Sequence, residues 1–374
     1  MSQTRASTPA LVALACFSLL LYTASERSLT PVHADAYSRK LRAVSTMARA
    51  ERIIADLKHE RGIAIDQRND PDGYGIIGPQ FTLTTTDRGS QSAKVLAAHP
   101  NFAAATTQMM LEAGVRQGDV VAVGMTGSLP GLNLAVLSAC DAIGAEPVVI
   151  TSVGSSMFGA TDPDLTWLDM EDALVAKRLW PFRSVAASLG GGGDVGRGLS
   201  PSGRQLLADA VTRNHVRLLD SENLIEAVRQ RVAMYDSVAA ARGKTIRLYV
   251  NVGGGLASLG GAQNARLVPA GLTFRLAARN YPNRGVLNVL AERRIPVVHL
   301  LEVERLAVHL GIRDLSTGET VHPGKGLLFI RYKYNLWIVC ASALAILLAN
   351  LFVLRLDLRH QLLGRPHPER RSPT

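Results

Sequence analysis

Small and hydroxyl-bearing residues follow several β-branched runs of this chain, and such loops are suited to binding an anion. In the first of them, Gly127 and Ser128 precede Pro130, a residue that favours the first turn of a helix. The free backbone N–H groups of that turn and the Ser128 hydroxyl can donate hydrogen bonds to a carboxylate or a phosphate. Asn133 lies about one helical turn further on and could reach the same ligand. The alternative is that Ser128 only caps the helix.

Three further loops have a similar composition and extend the predicted site. The second covers residues 152–160, the third has four consecutive glycines before Asp194, and the fourth begins at Asn251. Glycine lets a ligand approach the backbone closely. A carboxylate beside the glycines could bind a metal, a hydroxyl or an ammonium group, and a flexible surface loop is the alternative. The residues predicted to bind a ligand are Gly127, Ser128, Asn133, Gly154, Ser155, Ser156, Gly191, Gly192, Asn251, Gly253 and Gly254.

The candidate catalytic residues are Ser128 as a nucleophile, with Asp169 or Asp194 as its partner. The turn departs from the Gly-x-Ser-x-Gly pattern of serine hydrolases because Thr126 stands in place of the first glycine. No clear base accompanies Ser128 in the sequence. His299, at the end of a predicted strand, is the one histidine that we would test as a base.

Asp169 and Glu171 are two residues apart in a predicted helix, so their side chains diverge by roughly 200° and cannot both face one ligand. Both are expected in the first turn of that helix, where negative charge is favourable. Asp169 is the better candidate for catalysis because it lies nearer the preceding loop.

Neither a metal nor a cofactor is expected. None of the nine histidines is paired with another at the i, i+4 spacing of metal ligands. Cys140 is the one cysteine outside the apolar ends, which excludes a thiolate cluster. No glycine loop continues into the Gly-Lys-Ser/Thr of a nucleotide-binding P-loop.

The elements that position these loops alternate between strands and helices. Alternation of this kind predicts an α/β fold with a mainly parallel, doubly wound (Rossmann-like) sheet and helices on both faces. Parallel strands end at one edge of the sheet, and that edge is where open α/β sheets bind ligands. An amphipathic helix is predicted over 36–60 and a strand over 81–86, whereas 251–284 lacks periodicity and is interpreted as a lid or binding loop. The predicted strands are 119–124, 146–151, 183–187, 245–251 and 295–300, and the predicted helices include 130–143, 167–178, 201–214, 220–241, 284–293 and 301–310.

The two ends of the chain are apolar. Residues 336–354 carry no charge and are long enough to cross a hydrocarbon core of about 30 Å, so they predict a transmembrane helix. The first stretch is predicted to be an uncleaved membrane anchor, with a cleavable signal peptide as the alternative. The predicted organisation is an anchor at 8–25, an α/β domain at 36–325, a transmembrane helix at 335–355 and a basic tail at 356–374.

The formal net charge of +10 is spread thinly, without a lysine and arginine block, which argues against nucleic-acid binding. The expected partner is instead a lipid bilayer, at the cell (cytoplasmic) membrane. The basic residues after the second apolar stretch favour a cytoplasmic tail and an extracytoplasmic large domain. Against this orientation, Arg27, Arg39, Lys40 and Arg42 follow the first stretch and outnumber Arg5 before it.

Several sequence blocks resemble the poly-γ-glutamate system protein family (the PgsW-type proteins). They are residues 118–124, 127–130 with Asn133, 152–156 and 166–171, and 100–104 and the glycines before Asp194 also fit. The resemblance implies a companion of the ligase and membrane export subunits of a poly-γ-glutamate (capsule) system, and it assigns no catalytic residue. That polymer carries a free α-carboxylate on every unit, which suits loops rich in amides and hydroxyls.

The predicted function is therefore a membrane-anchored component of poly-γ-glutamate synthesis or export that binds an anionic ligand at the edge of the sheet. The alternative is a hydrolase or an amide- or phosphoryl-transfer enzyme that uses Ser128 with Asp169 or Asp194. The absence of a clear base beside Ser128 favours a binding protein, whereas four clustered loops are more elaborate than an inert spacer needs.

Overall fold

The structure is a computed structural model that describes residues 8–313 and 317–363, with 356–363 described by backbone alone. The described residues form two units. The larger unit is Ala34–Phe329, and the smaller one comprises the described residues up to His33 and from Ile330 onward. The predicted basic tail is 356–374. Residues 364–374 lie outside the described residues, and only the backbone is described for 356–363.

The helices and strands alternate along most of the chain. The helices are α1 (Thr8–Glu26), α2 (Tyr37–Glu60), α3 (Gln91–Ala97), α4 (Asn101–Glu112), α5 (Pro130–Ile143), α6 (Trp167–Ala176), α7 (Pro201–Arg213), α8 (Leu224–Ala241), α9 (Leu256–Leu259), α10 (Val286–Glu292), α11 (Val303–His309) and α12 (Leu336–Leu363). The strands are β1 (Thr30–His33), β2 (Thr85–Asp87), β3 (Val120–Thr126), β4 (Glu146–Ser152), β5 (Ser155–Ser156), β6 (Ser184–Ser188), β7 (Ile246–Val252), β8 (Gly271–Thr273), β9 (Val297–Leu300) and β10 (Ile330–Lys333).

A six-stranded sheet in the order β6-β4-β3-β7-β9-β8 forms the centre of the larger unit. The first five of these strands are parallel, and β8 is antiparallel at the edge. The prediction of a mixed α/β fold with a mainly parallel sheet is thus confirmed. Because the five parallel strands point the same way, the loops that follow them lie at one edge of the sheet.

Both faces of the sheet are buried, as its sequence pattern requires. Every residue of β3 is buried, which is typical of a central strand in a parallel sheet. Val121 and Val123 belong to a hydrophobic cluster with residues of α2, α4 and α5. Val120 and Ala122, which alternate with them along the strand, belong to a second cluster with residues of α8 and α10.

One predicted strand was wrong, and the interval 251–284, whose interpretation as a lid or binding loop stays a prediction, contains a short strand. The interval 251–284 contains β8, a strand of three residues that is too short to show alternation in the sequence. The predicted strand 81–86 is reduced to β2, because the Thr82 and Thr84 hydroxyls both donate to the Thr161 carbonyl oxygen at 2.6 Å. Such side-chain hydrogen bonds compete with the regular ladder of a strand.

The smaller unit contains the two apolar helices. Strands β1 and β10 pair in an antiparallel ribbon, and α1 packs against α12. Residues Thr8–Glu26 and Leu336–Arg355 are long and apolar enough to cross a membrane, and 0% and 6% of these segments are buried.

Candidate functional site

A cleft of about 640 Å³ lies at the edge of the sheet where the parallel strands end. Its walls include residues that end or directly follow β3, β4, β6, β7 and β9. The loop of residues 86–90 and α3 contribute a further wall. The cleft therefore occupies the position where the sequence pattern predicted a binding site.

About half of the predicted site residues line this cleft. Those that do are Ser128, Gly154, Ser156, Gly191, Gly192, Asp194 and Gly254. The remaining predicted residues are absent from its lining, namely Gly127, Asn133, Ser155, Asp169, Asn251 and Gly253. Binding by any of them stays a prediction.

Ser128 joins two of the loops. Helix α5 begins at Pro130 with Leu129 as its N-cap, so Ser128 is not the capping residue. The Ser128 hydroxyl instead accepts a hydrogen bond of 2.9 Å from the backbone N–H of Ser156. The loop after β3 and the loop after β4 are thereby fixed to each other at the cleft wall.

Lys94, which the sequence analysis missed, is a buried amine in the cleft wall. Its Nζ donates to the carbonyl oxygen of Ser128 and, over 2.8 Å, to the Ser156 hydroxyl. The side chain is only 5% exposed, and burial lowers the pKa of the Lys94 ammonium to about 8. Within the described part of the chain, no carboxylate lies within 4.0 Å of Nζ.

The backbone around Lys94 is tightly packed, and α3 holds the side chain in place. Ser90 is the N-cap of α3 and accepts a hydrogen bond from the Ala93 N–H. A Cβ at Gly89 would lie 2.6 Å from the Met157 carbonyl oxygen and 3.3 Å from Cε of Lys94. Only glycine fits this position without displacement of its neighbours. A capping serine directly after the Asp-Arg-Gly turn is the sequence signal that would have revealed α3.

Asp194 is held in a buried polar network. Its Oδ1 accepts hydrogen bonds of 2.8 Å from the hydroxyls of Ser152 and Ser188. Its Oδ2 lies 2.6 Å from Nη2 of Arg231, a residue of α8. Asp194 has a φ of 67°, which a non-glycine residue rarely adopts and which often marks functional or strained sites. This paired carboxylate is not available as the partner of a nucleophile.

Asp169 and Glu171 stabilise the fold outside the cleft. Asp169 accepts from the Thr166 N–H in a capping box and forms hydrogen bonds of 2.6–2.7 Å with Arg213. Burial alone would raise its pKa, but the hydrogen bonds from Arg213 and Thr166 outweigh burial and lower it. Glu171 accepts from the N–H and the hydroxyl of Ser184, and burial raises its pKa to about 7.

Asn133 and Ser155 form buried hydrogen bonds with the backbone beside the cleft. The Asn133 side-chain amide donates to the Thr126 carbonyl oxygen at 2.9 Å. The Ser155 hydroxyl donates to the Gly127 carbonyl oxygen at 3.0 Å. Both side chains are fully buried, and these contacts shape the loops.

Asn251 and His299 form a buried pair on neighbouring strands. Nδ2 of Asn251 lies 2.9 Å from Nδ1 of His299 and also donates to the Gly253 carbonyl oxygen. Burial lowers the pKa of the His299 imidazole to about 4. His299 is 1% exposed and does not line the cleft, so the structure does not place it where a base would act.

Charge is distributed unevenly around the cleft. Arg88 and Arg197 are exposed at its lining and have no carboxylate within 4.0 Å among the described residues. Glu302 and Glu304, which follow β9, also line it, and Glu302 is paired with Arg305. The cleft thus has free cationic groups together with four acidic groups, because the exposed Asp87 and the buried Asp194 line it as well.

The described residues contain no group of three or more histidine, cysteine, aspartate or glutamate side chains that could hold a metal ion. Besides its four carboxylates, the cleft is lined by hydroxyls, backbone amides and basic side chains, which are groups that can bind an anion. No family model, curated protein or solved structure matches this chain.

Proposed function

We propose that this protein is a membrane-anchored component of a poly-γ-glutamate synthesis or export system, and that its cleft binds polyglutamate or a related carboxylate or phosphate. One observation carries the anion proposal. Three basic side chains line the cleft, and none of them has a carboxylate within 4.0 Å in the part of the chain that the structure describes: Arg88, Lys94 and Arg197.

The burial of one of these cations strengthens the argument. Moving a charge out of water costs free energy unless an opposite charge or hydrogen bonds compensate. Lys94 has two hydrogen bonds but no counter-charge, so an anion in the cleft would stabilise its protonated form. The N-terminus of α5 lies beside it and would favour the same sign of ligand.

A second, independent observation concerns Thr126 at the end of β3. Thr126 lines the cleft and is 5% exposed, and its hydroxyl oxygen has no hydrogen-bond partner among the described residues. Buried polar atoms are normally satisfied by protein, water or ligand. A ligand oxygen that accepted from this hydroxyl would satisfy it.

In the membrane part of the proposal, the large unit lies on the extracytoplasmic side. The start of α1 and the end of α12 then both lie in the cytoplasm. Strand β1 follows α1 and β10 precedes α12, so their antiparallel pairing supports helices that run in opposite directions. The basic residues after α12 favour the cytoplasm for the chain end. The proposal also includes a doubly wound sheet, which the hydrophobic clusters on its two faces support.

The geometry does not favour the alternative enzyme that would use Ser128 with Asp169 or Asp194. Asp169 is bound to Arg213 outside the cleft lining, and Asp194 is paired with Arg231. Within the described residues, neither carboxylate forms a hydrogen bond with the Ser128 hydroxyl, which accepts instead from the Ser156 N–H.

The anion proposal is tested by titration calorimetry on the full chain in detergent. Oligomers of γ-linked glutamate should bind with an affinity that falls as salt rises, and matched neutral oligomers, in which each α-carboxylate is replaced by an α-carboxamide (γ-linked isoglutamine), should bind much more weakly. Arg197→Ala and Arg88→Ala should each weaken binding several-fold, whereas Arg229→Ala, which alters an exposed pair on α8, should not. Equal binding of the charged and neutral oligomers, or none at low salt, would reject the proposal.

A further inference from the structure

Lys94 and Ser156 meet at the cleft in a geometry that binding alone does not require. Nζ of Lys94 lies 2.8 Å from Oγ of Ser156, which is within the range needed for direct proton transfer. Ser156 is half-buried and is one of the residues that line the cleft. A serine with an amine base at this distance is one of the known arrangements of an activated nucleophile.

The surroundings of Lys94 suit a neutral amine as well as a cation. A neutral amine can donate to the Ser128 carbonyl oxygen while it accepts from the Ser156 hydroxyl. No carboxylate holds the proton on Nζ in the described part of the chain, and burial disfavours the charged form. Its pKa of about 8 leaves an appreciable neutral fraction near neutral pH.

We propose that Lys94 and Ser156 form a base and nucleophile pair and that the cleft catalyses acyl transfer on an amide or ester bond. The acidic character of the acyl substrate rests on the proposed function, because Arg88 and Arg197 at the cleft would hold its carboxylates. The pair itself rests only on the contacts of Lys94 and Ser156. This pair differs in both residues from the enzyme considered in the sequence analysis, which would use Ser128 with Asp169 or Asp194.

The first step forms a bond between Oγ of Ser156 and the substrate carbonyl carbon. The hydroxyl proton passes to the neutral Nζ of Lys94, and the carbonyl oxygen becomes an oxyanion. When the oxyanion collapses, the bond from carbon to the leaving nitrogen or oxygen breaks, and the leaving group takes the proton from Lys94. Water, or a second amine, then attacks the acyl ester with Lys94 again as the base, and Ser156 regains its proton.

Ser128 is placed to stabilise the oxyanion. Its Oγ accepts from the Ser156 N–H at 2.9 Å, and none of the described residues accepts the hydrogen of the Ser128 hydroxyl. That hydrogen can be donated into the cleft beside Ser156. A hydroxyl donor of this kind is one of the groups that form oxyanion holes.

A neutral alkyl fluorophosphonate tests the base and nucleophile pair, because an uncharged probe does not depend on anion binding in the cleft. The probe esterifies an activated serine and releases fluoride, and mass spectrometry of the digested protein identifies the modified residue. On the full chain in detergent, we expect labelling at Ser156, with a rate that rises with pH and levels off above about pH 8. Lys94→Met should slow labelling roughly 100-fold or more.

Two matched variants test whether Lys94 acts as a base or only makes structural contacts. Lys94→Arg keeps a cation and hydrogen-bond donors but cannot lose its proton near pH 8, so it should label as slowly as Lys94→Met. Lys177→Met, which alters an exposed lysine on another surface, should label at the native rate. A thermal melt of each variant shows whether it has folded.

The outcomes distinguish this proposal from the anion proposal. Labelling of Ser156 without binding of glutamate oligomers would support the pair and reject the acidic ligand. Binding of oligomers without labelling would reject the pair and leave a binding protein. If the native chain is not labelled at Ser156 at any pH between 7 and 10, the pair is rejected whether or not the variants fold. Labelling that is independent of Lys94 would also reject it.

Discussion

The guanidinium of Arg231 lies 2.6 Å from the carboxylate of Asp194, and the two side chains are 2% and 1% exposed. Arg231 also donates to the hydroxyls of Ser152 and Ser188, so the network joins α8 to the ends of β4 and β6. A buried ion pair of this kind contributes little net stability, but the loss of one partner leaves an uncompensated charge. The pair therefore fixes the glycine-rich loop before Asp194 against the cleft.

Removing one member of this pair should destabilise the protein strongly. Asp194→Asn and Arg231→Met should each lower the free energy of unfolding by roughly 3–5 kcal/mol, because the remaining charge stays buried. Urea unfolding of the full chain in detergent measures this. Asp172→Asn, which breaks the exposed pair with Arg183, should cost less than about 1 kcal/mol. Equal effects at the two sites would contradict the network.

Glu171 should make stability depend on pH. Burial raises its pKa to about 7, so the folded protein binds this proton more tightly than the unfolded chain does. The stabilisation that comes from this tighter proton binding is complete below about pH 4.5, and it is lost as the pH rises to about 7. Glu171→Gln can keep the contact with the Ser184 N–H and should be more stable than the native chain at pH 8 by roughly 1–3 kcal/mol.

The control for this prediction is Glu60→Gln, since the Glu60 side chain is 57% exposed. Its stability curve between pH 4 and 8 should follow that of the native chain. If Glu171→Gln keeps the native pH dependence, burial does not raise the pKa of Glu171 as described.

Lys94 should affect stability in the opposite pH direction. Its folded pKa of about 8 lies below the ordinary 10.5, so the unfolded chain binds the proton more tightly between these values. Stability should therefore rise with pH from about 8 to 10.5, and Lys94→Met should remove that rise. Thermal unfolding at several pH values measures it, with Lys177→Met as the exposed control. A native chain with no such rise would contradict the low pKa.

Gly89→Ala should disturb the cleft wall. The new Cβ would lie 2.6 Å from the Met157 carbonyl oxygen and 3.2 Å from Oγ of Ser156, so the loop must move. We expect a loss of roughly 1–3 kcal/mol in stability, together with slower fluorophosphonate labelling. Gly254→Ala, where a Cβ meets nothing within 4 Å, should change stability by less than about 0.5 kcal/mol. Equal stability changes would contradict the close packing at Gly89.

The position of the cleft could be predicted because it follows from strand direction. Residues 120–126 form an apolar run, and Pro130 marks the start of the helix after it, so both elements are visible in the sequence. The short strand β8 has no pattern of its own, since it forms only by pairing with β9. Local patterns therefore predicted the parallel strands but not the antiparallel edge.

The side chains of the site were less predictable than its loops. Lys94 and Arg231 are polar residues on helices, where a charged residue is ordinarily exposed to solvent. Their roles arise from contacts with residues 34 and 37 positions or more away in the sequence. Asp169 illustrates the converse, because its proximity to a loop suggested chemistry while Arg213, 44 residues later, engages it structurally. Contacts of this range do not produce a sequence pattern.

Strands β1 and β10 form the two sides of a ribbon, and the whole of Ala34–Phe329 is inserted between them in the chain. Within that unit, the Ala34 N–H donates to the Phe329 carbonyl oxygen at 2.9 Å, so its first and last residues touch. A module whose termini meet can be transplanted as a cassette into a hairpin of an unrelated host, or circularised and reopened at a surface loop. Engineering of either kind would give a version of the cleft without the two apolar helices.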